Sequence, residues 1–368
     1  MKVLAIGDPH FKVDNTEESE HFHLQVELYL SQNAIDVVVI LGDILHSHEK
    51  IYTFAMNTAV KFIRMCSRFA PTYCLVGNHD ATSNTIYCSE NHWLHVLLDQ
   101  PNVFIVDKPT WIHFDAQTSL KLLCCPYVSD GRFKEMLDQF VGKKDQRDID
   151  EDEEWRSADC IFAHQLLDGG KMGAVVASGV EKWLEKYPQV ISGHLHDRQQ
   201  PQPNLYYAGS SQQLAFSENG DKSIALVSFL SNENTEDETI IECKIEEIFL
   251  QLKQRKTISC NCANATSIKI QPNIQYKIVI KDVDAAIKAF KKTAKYKELQ
   301  AHSQIRSVQF KRLTEEEKED DTSNKTGAND FLFHLHAKLQ GENLYLQSYA
   351  NSLLTGSEDF SDKDIVLM

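Results

Sequence analysis

Short apolar runs rich in β-branched residues recur at 3–6, 36–41, 72–76, 103–106, 120–124, 159–163 and 189–192, each bounded by a polar or glycine-rich turn. Runs of that length and composition predict strands. Between them, 20–31, 51–67 and 89–98 alternate apolar and polar positions at helical spacing. The 51–67 stretch places Phe54, Ala55, Ala59, Phe62 and Ile63 on one face, a core-packing pattern. Strands alternating with helices imply a layered α/β domain. From Leu205 the texture changes, and Tyr206-Tyr207, 223–230 and 238–245 read as antiparallel strands.

A polar, acidic loop at 231–238 closes this first region. Beyond it, strands are expected at 268–270, 276–280 and 305–310, with a helix at 284–299 between the last two. The sequence thus divides into a domain at 1–235, a small α+β domain with a β–α–β unit at 236–313, an acidic flexible linker at 314–330 and a helical tail at 331–368.

The net charge of −15 counts against a stand-alone DNA clamp, which would hold nucleic acid by bulk positive charge. Much of the acidity is local, in 148–154, 232–238 and 314–321, so an enzyme that grips phosphate through metal ions stays compatible. Nine cysteines are an odd number without paired metal spacing, which predicts reduced, mostly buried thiols in an intracellular, soluble protein. No stretch is apolar and long enough to span a bilayer, and the N-terminal MKVLAIGDPHF reads as a first strand rather than a signal peptide.

Metal-ligand residue types cluster where the expected strands end. Asp8 and His10 follow the first, Asp43 the second, Asn78 and His79 the third, His164 a later one, and His194 with His196 another. Carboxyl ends of neighbouring strands open onto one crevice, so these residues can converge. The D-x-H and H-x-H spacings suit strand alternation, in which residues two apart face the same way. Seven N and O ligands exceed what one divalent ion takes, and suit two ions about 3.5–4 Å apart sharing a carboxylate, with Asp43 the expected bridge. A mixed imidazole, carboxylate and amide shell points to manganese, with iron, zinc or magnesium as alternatives. Such a pair lowers the pKa of bound water and clamps phosphoryl oxygens. His79, beside the ligand Asn78, is placed to protonate or stabilise a leaving oxygen, and His46 is expected one helical turn from Asp43 for substrate contact.

The ordered set D-x-H, GD, GNHD, H and GHLH resembles the calcineurin-like metallophosphoesterases. The segment GDILHSH lacks the arginine of the protein Ser/Thr phosphatase motif, whereas GD-x-x-H, AHQ and the stretch NLYYAGSSQQLAFSENG are similar to the SbcD-type nucleases of double-strand-break repair. The resemblance implies a four-layer α/β/β/α sandwich with a β–α–β capping domain that contacts DNA. It implies metal ligation by Asp8, His10, Asp43, Asn78, His164, His194 and His196, a catalytic role for His79, and a role for His46 in arranging the DNA phosphate. It also implies a hydrolase acting as a manganese-dependent exo- or endonuclease in DNA repair, recombination or replication. DNA and an SbcC-like ABC ATPase are the implied partners, and a homodimer is allowed.

Less specific features carry weaker expectations. Lys288, Lys291, Lys292 and Lys295 on the 284–299 helix, and Lys171 in a glycine-rich loop, are candidates for DNA phosphate contacts. Two other readings compete with the nuclease. One is a phosphodiesterase or phosphatase acting on nucleotides or small phosphoesters. The other is a non-enzymatic scaffold that loads DNA for an ABC-type ATPase, although a scaffold has no use for His79 beside a full metal shell.

Overall fold

The computed structural model describes residues 1–314 apart from 49, 115–118, 142–153, 174 and 233–239. The expected linker beyond Thr314 and the helical tail at 331–368 lie outside the described residues, as does nearly all of the acidic run at 148–154.

Two six-stranded sheets form the centre of the first region. One orders Ile240–Ile248, Ile224–Asn232, Lys2–Ile6, Val37–Ile40, Thr72–Leu75 and Val103–Val106. The last four run parallel, and the first two join as antiparallel neighbours. The second sheet orders Gln199–Gln202, Leu205–Tyr207, Gln189–Ser192, Cys160–Ala163, Leu122–Cys124 and Thr110–Trp111.

Alternation along each strand sorts its side chains into layers. Val3, Ala5, Val37, Val39, Tyr73 and Leu75 pack between the sheets against Leu122, Cys124, Phe162 and Ile191. The opposite faces of the first sheet, Leu4, Ile6, Val38 and Ile40, pack on helices Thr16–Gln32 and Thr53–Cys66 through Phe22, Val26, Ala59 and Phe62. On the outer side of the second sheet, Ile161, Val190 and Leu205 meet Phe133, Met136 and Leu137 of helix Phe133–Val141. The result is the four-layer α/β/β/α sandwich expected from the motifs. Both helix–sheet seams and the inter-sheet layer are apolar and buried, because 3.6-residue and two-residue periodicities each present one apolar face.

Several local expectations change. The 89–98 stretch forms only a short 3-10 turn at Trp93–Leu97, because Ala81 pairs with His92 and holds the preceding chain extended. In the Thr53–Cys66 helix Phe54 is half exposed while Ala55, Ala59, Phe62 and Ile63 are buried. The strand past residue 235 pairs with Ile224–Asn232, which carries the first sheet beyond that point.

The three-stranded sheet orders Gln254–Cys260, Ile274–Asp282 and Ile305–Arg312. Residues 268–270 are not a strand, and Gln254–Cys260 takes the place expected for them. The expected 284–299 helix is two helices, Asp284–Phe290 and Ala294–Ala301. Thr293 causes the break: its Oγ1 donates to the Phe290 carbonyl at 2.7 Å and accepts from the Tyr296 N–H at 3.2 Å, capping the second helix. By contact density the chain forms two compact units. One comprises 1–258, 269–277 and 302–307; the other, among the described residues, comprises 259–268, 278–301 and 308–314.

Among the described residues no helix is long and apolar enough to cross a membrane. Cys66, Cys74, Cys124 and Cys125 are buried thiols outside any disulfide, and burial pushes them up, which leaves them protonated and unreactive.

Candidate metal centre

The parallel strands Lys2–Ile6, Val37–Ile40 and Thr72–Leu75 end side by side, so the loops leaving them meet at one edge of the first sheet. Strands Cys160–Ala163 and Gln189–Ser192 do the same in the second sheet. Asp8, His10, Asp43, Asn78, His79, His164, His194 and His196 come together there, and His46 joins them. Asp8, His10 and His164 are fully buried, and Asp43 is 2% exposed.

Strand alternation is not what aligns the D-x-H and H-x-H pairs. Asp8, His10, Asp43 and His194 have φ of 37°, 45°, 47° and 79°, in the left-handed region that non-glycine residues avoid. Each such residue costs on the order of 1–3 kcal/mol, and the cost persists only where surroundings overdetermine it. Here the chain curls at each ligand, turning carboxylate and imidazole inward instead of along a pleat. Gly77 shows how close the loops lie: a methyl group on its Cα would overlap the Asp43 backbone nitrogen and carboxylate.

The donors fall into two sets. In one, His164 Nε2 and His194 Nδ1 lie 3.0 and 3.1 Å from Asn78 Oδ1, and 3.3 Å from each other. In the other, His10 Nε2 lies 3.0 Å from His196 Nε2. Asp43 stands between them, with Oδ1 3.4 Å from His164 Nε2 and Oδ2 3.6 Å from His10 Nε2. Ligand atoms about 2.1 Å from an ion and at right angles are about 3.0 Å apart, so these edges match first coordination spheres.

Two of the ligand imidazoles are oriented by the nitrogen that points away. His164 Nδ1 faces the Leu41 carbonyl at 2.6 Å, and His196 Nδ1 faces Glu218 Oε1 at 3.1 Å. A ring that donates from one nitrogen presents the lone pair of the other, which is what an ion needs. His79 Nδ1 likewise faces the His46 carbonyl at 2.6 Å, which directs its Nε2 toward Asp43 Oδ2, 3.9 Å away. The His79 ring stacks on His48 at 4.3 Å and stays partly open to solvent.

His46 reaches the site differently from expectation. It is not on a helical turn; Leu45 bridges Phe11, and the His46 N–H donates to the Phe11 carbonyl at 3.2 Å. That link ties the loop after Asp43 to the loop after His10.

The electrostatics favour a cation. Burial pushes Asp8 up to about 7 against the pull of His164, with Asp43 adding to the rise. Burial would also raise Asp43, yet His164, His10 and His79 hold it below the ordinary carboxylate range. Burial disfavours a charged His164, but Asp43 and Asp8 push it up to about 9. Burial and then the charge on His164 lower His194 to about 3. The carboxylates thus pull a proton onto His164, the role a divalent ion would take. Asp8 Oδ2 and His10 Nδ1 are buried without a hydrogen-bond partner among the described residues. A buried carboxylate oxygen left bare is costly unless a cation meets it, so the residues fit a metal pair.

Three supporting residues escaped the sequence reading. Asp80 accepts from the backbone N–H groups of Ile44, Leu45 and Gly77 and from Trp93 Nε1, locking the second and third ligand loops together. Glu218 holds His196, and Tyr127 stacks on His194 at 5.7 Å. Asp80 and Glu218 stand inside the GNHD and SENG segments, so their signal was present but silent about a partner.

The candidate lysines fall in two places along the chain. Lys171 is exposed on a two-residue strand, Lys171–Met172, whose backbone is held by Gln199. Lys288 pairs with Asp284 at 2.6 Å, Lys295 with Glu298 at 2.9 Å, and Lys291 lies over the Phe310 ring at 4.4 Å. The helix break also separates Lys288 from Lys295, so the four do not share one helix.

Comparison with known proteins agrees with this geometry. Residues 1–198 match the calcineurin-like phosphoesterase family. The chain is 39% identical over 293 residues to the protein named phosphoesterase 244L of Invertebrate iridescent virus 6, covering 79% of this chain and 97% of that one. It is 35% identical to the protein named phosphoesterase 078R of Invertebrate iridescent virus 3, covering 92% of each. It is also 26% identical over 230 residues to exonuclease subunit 1 of Enterobacteria phage T4, covering 60% of this chain and 62% of that one. With its ligand loops at the edges of two stacked sheets and a match spanning more than half its length, this chain belongs to the calcineurin-like phosphoesterases.

Proposed function

We propose that this phosphoesterase is a manganese-dependent nuclease that hydrolyses DNA phosphodiester bonds in repair, recombination or replication. The observation that carries the reading is Asp43, whose two oxygens face separate donor sets while His79 stands at their open side. The similarity to a phage exonuclease subunit supports the choice of DNA over small phosphoesters. The N-rich donor set supports manganese, iron or zinc over calcium.

A divalent pair, when bound, supplies Lewis-acid polarisation of the phosphoryl group and acidified water. The chain supplies the rest. Asp8, Asp43, Asn78 and the four ligand histidines would hold the ions, and the Leu41 carbonyl and Glu218 fix the His164 and His196 rings. His79 presents Nε2 toward the reacting centre because its Nδ1 is held by the His46 carbonyl. As an imidazolium it can give a proton from Nε2 to the departing 3′ or 5′ oxygen. The stacked His46 and His48 rings keep it from rotating away.

End-labelled linear DNA and bis-p-nitrophenyl phosphate, each with manganese and with EDTA, test the reading. DNA cleavage that requires manganese is expected. Hydrolysis of the small diester with DNA left intact would place the chain among small-phosphoester hydrolases instead. The partners proposed with this reading are DNA and an ABC-type ATPase; sedimentation of the purified chain tests for a homodimer.

A further inference from the structure

A second feature lies beside the metal centre. A cleft of about 360 Å³ is lined by Lys12, Arg255, Lys277 and Arg306, with Asp14 and Phe216 on its walls. All six residues belong to the first compact unit. Four cations around one cleft are a marked local reversal in a chain of net charge −15. Lys12 is 3.6 Å from Asp14, and Arg255 is 3.4 Å from Glu18. Lys277 and Arg306 have no carboxylate partner among the described residues, so the cleft keeps an uncompensated positive charge.

The cleft is fixed to the catalytic edge by direct bonds. Lys12 Nζ and Arg255 Nη1 both donate to the Leu214 carbonyl, at 3.3 and 2.7 Å. The Leu214 N–H donates to Glu218 Oε2 at 2.8 Å, and Glu218 Oε1 holds the metal-ligand candidate His196. Lys12 is two residues past His10, and its own N–H donates to Asn15 Oδ1 at 3.0 Å, while Asn15 Nδ2 donates to the His10 carbonyl. One wall of the cleft is therefore one residue removed from the ligand shell on both sides.

We propose that this cleft is a second phosphate subsite, which takes a backbone phosphate flanking the scissile one and so selects a polynucleotide strand over a mononucleotide. The proposal rests on the nuclease reading and deepens it. A mononucleotide has its single phosphate at the metals and nothing to place among the four cations. A strand carries the next phosphate one nucleotide away, and the half-buried Phe216 ring on the wall offers a face for a base. Guanidinium and ammonium groups without a carboxylate partner, such as Arg306 and Lys277, favour an anionic ligand such as a phosphodiester strand over a neutral one.

The test is binding of a fluorescent single-stranded oligonucleotide, read by anisotropy in EDTA over a salt series, with wild-type, Lys277→Gln/Arg306→Gln, and Lys277→Arg/Arg306→Lys proteins. The neutral pair should bind about tenfold more weakly, and its log–log salt slope should flatten by about 1.4, since each single-strand phosphate contact contributes about 0.7. The charge-conserving pair should keep both. The exposed single variant Arg306→Gln, with half the slope change, serves if the double variant fails to unfold cooperatively. Unchanged affinity and slope, or equal loss in the charge-conserving pair, would overturn the subsite. Failure of wild-type protein to cut the oligonucleotide with manganese would refute the nuclease reading instead, and leaves the binding result to decide the subsite.

Discussion

Replacement of Asp80 isolates what couples the ligand loops. Its carboxylate is buried and takes four donors. Oδ1 accepts from the Ile44 N–H at 3.0 Å, the Leu45 N–H at 3.0 Å and Trp93 Nε1 at 2.8 Å, and Oδ2 accepts from the Gly77 N–H at 3.1 Å. In Asp80→Asn the amide oxygen can replace Oδ1 and keep three partners, but the NH₂ group then confronts the Gly77 N–H. One orphaned buried donor costs about 1–3 kcal/mol, and the three retained bonds weaken from charge-assisted to neutral. Burial and the Asp43 charge raise the Asp80 pKa, so removing the charge relieves some repulsion. Together these place Asp80→Asn at about 2 kcal/mol of destabilisation. Asp80→Ala orphans all four donors and costs about 4 kcal/mol or more, a large part of ordinary domain stability. The loop after Asp43 and the loop carrying Asn78 would also lose their shared anchor, so manganese affinity should fall about 10–100-fold in Asp80→Asn. Urea unfolding followed by tryptophan fluorescence measures the first effect, and calorimetric manganese titration the second. An Asp80→Asn protein with wild-type unfolding midpoint and wild-type manganese affinity would refute the anchor.

Other outcomes follow from the same contacts. His79→Asn should leave manganese bound but lower kcat about 10²–10⁴-fold, as expected for loss of a general acid; retained activity removes the assignment. Glu218→Gln should weaken manganese binding about 10–100-fold by freeing the His196 ring, measured by calorimetry against Glu218→Asp. Manganese binding at pH 7 should release roughly one proton from His164, raised to about 9, and a fraction from Asp8, raised to about 7. Because those protons compete with the ion, affinity should rise with pH between about 6 and 9, and calorimetry in two buffers of different ionisation enthalpy reads the proton count. Phe62→Ala, in the apolar seam between the first sheet and its helices, should cost about 3–5 kcal/mol in urea unfolding and leave the manganese stoichiometry unchanged.

Much of this protein was legible residue by residue. The strands at 37–40, 72–75, 103–106 and 189–192 fall where apolar runs placed them, and ligands stand past the carboxyl ends of all but the 103–106 strand. Two misplacements have a tertiary cause. Residues 89–98 have helical spacing, but the 3-10 turn at Trp93–Leu97 sends the Trp93 indole to Asp80, a bond worth more than helix propensity. The strand Gln254–Cys260 carries little apolar signal and exists because Ile274–Asp282 lies beside it. The helix break at Thr293, by contrast, is local, made by contacts three residues apart.

The chain by itself determined the periodicities, and hence the layers, together with the inventory of donors and the loops that bear them. Those properties depend on residues a few positions apart. Tertiary structure alone decided the left-handed turns at Asp8, His10, Asp43 and His194, and which nitrogen of each ring faces inward. It also decided that Leu214 joins a basic cleft to the metal edge. The His194 N–H meets Asp8 across 186 residues, and the His164 ring meets the Leu41 carbonyl across 123. Contacts of that span repay strained dihedrals and bare carboxylate oxygens only once both sheets have stacked, so no local pattern encodes them.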